Sequence, residues 1–263
     1  MIDTGHIIHF AHANGIPTPS YQPLLQSLSA QRVIGKPMLA HDPRFPPNNQ
    51  WSNIVDEIID YIERHADKPV VGIGHSLGSI CTFLAAQKRP DLFKQVIMLD
   101  PPIMFGPICW VVKLLKRINK IDKITPAGKS KYRKSSWPSL TEAIEYFEGK
   151  TLYNSFDEMC FDGYIASALV DNEQGVELGY SVDHEVNLFR YTPDNLNSII
   201  SPSKVPLHII YGDDSDAAFT WVIKPFSKRF KANLQQISGQ HMFPLQQPLE
   251  TAHKINEILM AIE

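Results

Sequence analysis

The sequence has few cysteines, no strong excess of either charge and no long apolar run. Cys81, Cys109 and Cys160 are scattered and form no C-x-x-C pair, which argues against a disulfide framework and favours reduced thiols in a cytoplasmic protein. The formal net charge of -3 argues against a nucleic-acid-binding domain, which is usually strongly basic. The longest near-apolar run, residues 103–112, is too short to span a bilayer, and the first residues lack a signal-peptide pattern. These absences lead us to expect a soluble, cytoplasmic globular protein.

Short β-type runs alternate with helical patterns along most of the chain. The strands are predicted at residues 6–11, 33–39, from 70 into a Gly-rich turn, 95–100, 205–211 and 233–237. Helices are predicted at residues 21–28 and 51–65, from 77 to about 88, and at 248–262. Such alternation implies right-handed βαβ crossovers. The expected fold class is therefore α/β, with a mostly parallel sheet of about six strands flanked by helices.

Residues 101–200 interrupt this alternation. The segment has helical periodicity at 140–147 and 159–169 but no strong buried-strand run, and an excursion of this length is normally a lid or a domain of its own. We therefore expect a core made of residues 1–100 and 201–263, with a helical cap inserted at 101–200. Nine basic residues and one acidic residue occupy positions 113–134. This basic cluster indicates a solvated helix face, or attraction of an anionic substrate or a membrane surface.

The most informative motif is Gly74-His75-Ser76-Leu77-Gly78, a G-x-S-x-G sequence between an apolar strand and a helix of small residues. In that context the serine occupies a sharp, strained turn from strand to helix, and the two glycines allow both elements to approach closely. The helix N-terminus offers an oriented N–H and a positive dipole end to a developing oxyanion. The motif predicts Ser76 as a nucleophile.

A serine nucleophile needs a base, and the base needs an orienting acid. His241 is the candidate base because it lies in a loop just after the last predicted strand, at the sheet edge where α/β proteins place their sites. Two acids fit the chain order Ser, acid, His. Asp216 follows the strand after the insertion, in a cluster of aspartates that is also typical of a simple turn. Asp100 ends the strand before the insertion, and we favour Asp216 over it.

With these residues the chain resembles the α/β-hydrolase fold superfamily, in its lid-bearing, esterase-like branch. The resemblance runs over residues 6–262, and the insertion matches the family's cap in position and length. It implies a catalytic triad, and its G-x-x-S-D form of the acid turn matches residues 212–216 and selects Asp216. Family members usually begin with an antiparallel hairpin, which this chain is expected to lack, and the H-G-G-G motif of one lipase branch is absent.

The same resemblance extends to the loop after the first strand. His12-Ala13-Asn14-Gly15-Ile16 is similar to the family's H-A-x-G-x variant of its oxyanion loop. The resemblance implies an oxyanion hole formed by the backbone N–H groups of Ile16 and Leu77, with Asn14 as the alternative donor.

Two further patterns in the sequence involve histidines of the first strand and aromatic residues of the insertion. His6, His9 and His12 recur every three residues, but on a strand this spacing alternates faces, so no metal site is expected, and no cofactor is implied. Four aromatic residues of the insertion are predicted either to line an acyl pocket or to form the insertion's own small core: Trp110, Trp137, Phe147 and Phe161.

The favoured hypothesis is a serine hydrolase that cleaves an ester of a small or medium carboxylic acid through an acyl-enzyme. One alternative keeps the triad but cleaves a thioester or a carbon–carbon bond, and another is a non-catalytic receptor for a small ligand. The expected partner is a small-molecule acyl substrate, without nucleic acid. Contact of an amphipathic lid at residues 103–123 with a membrane is a further, less favoured hypothesis.

Overall fold

The computed structural model describes residues 5–216 and 220–261 and contains a six-stranded parallel sheet. Its strands lie in the order β2-β1-β3-β4-β8-β9, and every neighbouring pair is parallel. These strands are β1 (Ile7–Ala11), β2 (Arg32–Ile34), β3 (Val70–His75), β4 (Phe93–Leu99), β8 (Leu207–Gly212) and β9 (Asn233–Ile237). The expected α/β fold with about six strands is confirmed.

The central strands are buried on both faces because helices cover each side of the sheet. Neighbouring strand residues alternate between two apolar clusters: Ile8, Ile97 and Ile210 belong to one, and Val96 and Ile209 to the other. This alternation follows from the two-residue period of a strand. It explains why the strands read as continuous apolar runs in the sequence.

The helices fall into two layers and an insertion. The first face of the sheet is covered by α1 (Gln22–Gln26) and α12 (Pro248–Met260), and the second by α2 (Ser52–His65), α3 (Leu77–Lys88) and α10 (Thr220–Phe230). A short α11 (Phe243–Gln246) precedes α12. Single 3₁₀ turns occupy Thr18–Tyr21, Asn49–Trp51, Pro90–Leu92, Ile121–Lys123 and Leu196–Ser198.

The chain between β4 and β8 forms the insertion. Its helices are α4 (Pro107–Arg117), α5 (Ala127–Ser130), α6 (Leu140–Glu148), α7 (Thr151–Asn154), α8 (Glu158–Ala168) and α9 (Val182–Arg190). Besides these helices it contains a small antiparallel sheet in the order β5-β7-β6, made of β5 (Ser136–Trp137), β6 (Leu169–Asn172) and β7 (Gly175–Leu178). The insertion was expected to be helical, and strands of two to four residues are too short to give a periodic signal.

Aromatic side chains hold the insertion together and join it to the first face of the sheet. Trp137 and Phe147 are buried with Tyr153 and Tyr164 in the apolar cluster that also contains Phe10. The ring of Phe147 meets those of Tyr153 and Tyr164 edge-on, at centroid distances of 5.0 and 5.2 Å, an arrangement favoured by aromatic pairs. These residues therefore form a core, whereas Trp110 is 69% exposed.

His9 is a polar residue at the centre of β1. Its side chain is fully buried, and neither ring nitrogen has a hydrogen-bond partner within the described ranges. Burial lowers its pKa from the ordinary value of 6.5 to about 3, because the imidazolium form would lose its hydration. The histidine is therefore neutral in the folded protein over a pH range in which the unfolded chain is protonated.

This difference predicts an acid sensitivity that can be measured. Unfolding takes up a proton at His9 between pH 6.5 and about 3, so the free energy of unfolding falls as the pH falls through that window. The variant His9→Leu cannot take up this proton. Between pH 6.5 and 5 its free energy of unfolding should therefore fall by about 2 kcal/mol less than that of the wild type. Urea titrations at both pH values measure it, with the exposed His253→Leu as the control. Parallel losses in wild type and His9→Leu would contradict the prediction.

Candidate active site

Ser76 lies at the tight turn between β3 and α3. Its backbone has φ 53° and ψ -120°, a conformation that costs a residue with a side chain about 1–3 kcal/mol. The turn is held by the Ser76 N–H, which donates to the Leu99 carbonyl at the end of β4 at 3.0 Å. The strained elbow expected from the motif is therefore present.

The glycines on either side of the serine are required by close contacts between backbone atoms. A Cβ on Gly74 would lie 2.3 Å from the Gly78 carbonyl oxygen, and a Cβ on Gly78 would lie 2.1 Å from the Ala11 oxygen and 2.7 Å from that of His12. Larger residues would force strand and helix apart. The start of α3 is thus pressed against the end of β1 and the beginning of the His12–Ile16 loop.

A chain of hydrogen bonds joins the serine to a histidine and an aspartate. His241 Nε2 is 3.0 Å from Ser76 Oγ, and His241 Nδ1 is 2.6 Å from Asp100 Oδ2. With a carboxylate at Nδ1, the favoured tautomer carries its proton there and leaves Nε2 free to accept from the serine hydroxyl. This geometry is that of a nucleophile, a base and an orienting acid.

The acid in contact with His241 is the alternative, Asp100, and the preference for Asp216 is corrected. The Nδ1 atom of an imidazole makes one hydrogen bond, and Asp100 occupies it. Asp100 is fully buried and accepts two further bonds, from the Gly212 N–H at 2.9 Å and the Ser215 hydroxyl at 2.5 Å. Asp216 is exposed.

The other aspartates after β8 hold the loop that carries the histidine. Asp213 accepts from the Gly239 N–H at 2.8 Å, and Asp214 accepts from the Gln240 side-chain amide at 3.2 Å. The cluster therefore acts as the turn former that its composition also allowed. Its contribution to the site is to fix the backbone just before His241.

The predicted oxyanion donors Ile16, Leu77 and Asn14 differ in whether their N–H groups already have an acceptor. The Ile16 N–H donates to the Ala13 carbonyl at 3.1 Å and closes a turn, so the expectation for Ile16 is corrected. Leu77 is the first residue of α3, and a helix leaves its first N–H groups without intrahelical acceptors. No acceptor for the N–H groups of Leu77 or Asn14 is found in the described part of the chain. The N–H groups of Leu77 and Asn14 are therefore available to an acceptor, whereas that of Ile16 is occupied.

The insertion touches the loop that carries Asn14. The Asn14 side-chain amide donates to the Glu185 carbonyl in α9 at 3.0 Å, and a Cβ on Gly15 would lie 3.3 Å from the Glu185 carboxyl carbon. The Glu185 carboxylate is buried, 3.1 Å from Arg133 Nη1 and 3.0 Å from the Ser130 hydroxyl. Burial raises the pKa of this carboxyl. A buried polar cluster of the insertion thus holds the loop that contains Asn14.

A second hydrogen-bonded chain runs beneath the site. The Ala13 N–H lies 3.3 Å from the Tyr21 hydroxyl, which is 2.7 Å from His75 Nδ1, while His75 Nε2 is 2.9 Å from the His241 carbonyl oxygen. Burial lowers the pKa of His75 to about 3, so the ring stays neutral and donates from Nε2 only. Three segments of the site are thereby tied to one buried ring.

This second hydrogen-bonded chain was not predicted from the sequence, in which only His75 stands out. Its position beside Ser76 was visible in the motif. No sequence pattern near Tyr21 indicates its role, because that role depends on how the Thr18–Tyr21 turn packs against β3.

Comparison with known proteins adds two kinds of finding. A model of the alpha/beta hydrolase family matches residues 10–254. Among curated proteins, a type I acyl-CoA thioesterase of Penicillium brevicompactum is 25% identical over 168 residues, which are 57% of this chain and 37% of that protein. The chain therefore spans little more than a third of the length of this relative.

Solved structures share the fold over nearly the whole chain. An E-2-(acetamidomethylene)succinate hydrolase superposes with a TM-score of 0.76 at 19% identity, covering 99% of this chain and 93% of that one. An esterase from a marine microorganism gives a TM-score of 0.68 at 20% identity, covering 96% and 95%. At these identities the likeness shows the fold alone.

The buried chain beneath the site generates a prediction. Tyr21→Phe removes the hydroxyl between Ala13 and His75 and leaves two buried polar groups without a partner. It is expected to slow labelling of Ser76 by a fluorophosphonate on the order of tenfold or more, since small displacements of reacting groups are costly. Tyr61→Phe, which removes a hydrogen bond to the Gly35 carbonyl, is the matched control. Equal labelling rates in the two variants would contradict the positioning role.

Proposed function

Because this chain belongs to the alpha/beta hydrolase family, we propose that it is a serine hydrolase that cleaves an ester of a small or medium carboxylic acid. The observation that carries the proposal is the continuous hydrogen-bond chain from Ser76 through His241 to Asp100. Each member has the atom that the chemistry needs at hydrogen-bond distance from the next. The strained backbone of Ser76 supports an enzyme over a receptor, since ligand binding alone has no need of it.

The first half of the proposed reaction forms an acyl-enzyme. Ser76 Oγ attacks the ester carbonyl carbon while His241 Nε2 takes the hydroxyl proton, and the carboxylate of Asp100 stabilises the imidazolium. The tetrahedral intermediate then collapses, and the bond to the alcohol oxygen breaks. His241 gives the proton to the departing alcohol, which leaves the acyl group on Ser76.

The second half releases the acid. Water attacks the acyl carbonyl and gives a proton to His241. When the second tetrahedral intermediate collapses, the bond to Ser76 Oγ breaks, His241 returns the proton to that oxygen, and the carboxylic acid departs. In both halves the carbonyl oxygen gains negative charge. We place this oxygen between the N–H groups of Leu77 and Asn14, where the N-terminus of α3 adds a positive dipole end.

A thioester is the second candidate substrate. The observation that favours it is the similarity of this chain to an acyl-CoA thioesterase. The same residues serve both bonds, because attack at the carbonyl carbon is common to both and a thiolate is the better leaving group. Comparing acyl-CoA with uncharged esters at two salt concentrations separates the candidates, since screening weakens binding of the charged substrate alone.

We propose a cytoplasmic location for the reaction. Cys81, Cys109 and Cys160 are all free and buried, which suits a reducing compartment. In the ranges that the structure describes, no helix is both long and apolar enough to cross a bilayer.

The nucleophile is tested with p-nitrophenyl esters from acetate to long acyl chains. Ser76→Ala is expected to reduce turnover to background, because it removes the attacking oxygen. Its Tm should change little, because the packing around the residue is kept. A chain-length optimum in the wild type would then define the acyl specificity. Turnover retained by the folded Ser76→Ala protein would refute the proposed mechanism.

The acid is tested by a matched pair of variants. Asp100→Asn is expected to lower kcat by about 10³- to 10⁴-fold, since the amide no longer stabilises an imidazolium at His241. Asp216→Asn removes a similar charge from an exposed position and is expected to leave kcat unchanged. Steady-state kinetics on the best p-nitrophenyl ester measure both. The reverse ranking would assign the role to Asp216.

A further inference from the structure

Helix α4 of the insertion exposes an apolar stripe. Trp110, Val111, Leu114 and Ile118 follow helical spacing onto one side of the helix and its C-terminal end, and they are 69%, 47%, 58% and 50% exposed. Large apolar side chains that are exposed together indicate an interaction surface, whereas single ones are ordinary. We call these four residues the α4 stripe.

The opposite side of α4 is anchored in the protein. Cys109 and Val112 are buried there. Lys116 Nζ reaches Asp194 at 3.0 Å and the Thr192 carbonyl at 2.6 Å. The helix is therefore already formed and fixed, and docking through the α4 stripe requires no folding step.

The charged residues that border the α4 stripe are basic. By helical spacing, Lys113 and Arg117 border the stripe, and the exposed Lys120 and Lys123 follow the end of the helix. Over residues 103–134 nine basic residues face one acidic residue, a net charge of +8. The other residues carry 16 basic and 27 acidic side chains, a net charge of -11. Within this segment Lys116, Lys131 and Arg133 pair with carboxylates, so the charge available beside the α4 stripe is that of Lys113, Arg117, Lys120 and Lys123.

We propose that the α4 stripe docks the protein onto a lipid surface that carries anionic phospholipids. An interfacial helix combines an apolar face, which enters the boundary between headgroups and acyl chains, with basic side chains that pair with the headgroups. Trp110 suits this boundary because its indole is apolar with one polar N–H, and Lys113 Nζ lies 5.9 Å from its ring.

Charge favours a bilayer over a second copy of the chain. A symmetric dimer through α4 would place the same basic segment of each copy opposite its counterpart. Such a contact opposes like charges, whereas an anionic membrane is complementary to them. In the cytoplasm the inner leaflet supplies this charge.

The test is vesicle flotation of the full chain. Flotation needs no enzymatic activity, so its outcome is independent of the proposed reaction. The protein is mixed with phosphatidylcholine vesicles, with and without phosphatidylglycerol, at low and high NaCl. Binding is expected only with phosphatidylglycerol and is expected to weaken with salt. The triple variant Lys113→Gln, Arg117→Gln, Lys120→Gln should lower partitioning about a hundredfold, at about fivefold for each basic residue.

The apolar contribution is tested with Leu114→Glu, which should lower partitioning by about tenfold or more. Its matched control is Leu249→Glu, a leucine 67% exposed outside the insertion, which should bind like the wild type. Absence of flotation, or equal losses in the two variants, would overturn the proposal. A concentration-dependent mass in sedimentation that Leu114→Glu abolishes, without vesicle binding, would assign the α4 stripe to a second copy instead.

Discussion

The close approach of α3 to β1 and β3 is the constraint on which the rest of the site depends. Because Gly74 and Gly78 carry no side chains, the helix begins against the Ala11 carbonyl, and Ser76 is held at positive φ between strand and helix. This one contact sets the hydroxyl above the sheet edge. It also brings the first N–H of the helix beside the loop that contains Asn14, so the Ser76 turn and that loop share a single support.

The parallel sheet and four of its flanking helices could be predicted from the sequence, because their signals are local, whereas α10, which contains Pro225, was not predicted. Buried parallel strands read as apolar runs, and helices such as Ser52–His65 read as apolar stripes, so most elements were placed within a few residues. The small sheet of the insertion was not predicted. Its strands are paired with each other over two to four residues, and that pairing depends on contacts distant in the sequence.

The residues of the site could be predicted where a motif fixes them, as at Ser76, or where the end of a strand and the chain order do, as at His241. The choice of acid depends on strand order. Because β4 lies next to β3, Asp100 at the end of β4 lies beside the turn that carries Ser76, whereas Asp216 lies four residues beyond the end of β8. The choice of oxyanion donor depends on a turn that uses the Ile16 N–H. Neither the order of strands nor the partner of an N–H is written in a short motif.

The insertion both contacts the site and carries the exposed α4 stripe. Through α9, Glu185 holds the loop of Asn14, and the same helix ends at Arg190, which donates two hydrogen bonds of 2.8 Å to Asp122 just beyond α4. Asp122 is the one acidic residue of the basic segment, and its charge is already taken up by this pair. The carboxylate that would oppose an anionic surface is thus engaged within the insertion, whereas four basic side chains remain exposed at and after α4: Lys113, Arg117, Lys120 and Lys123.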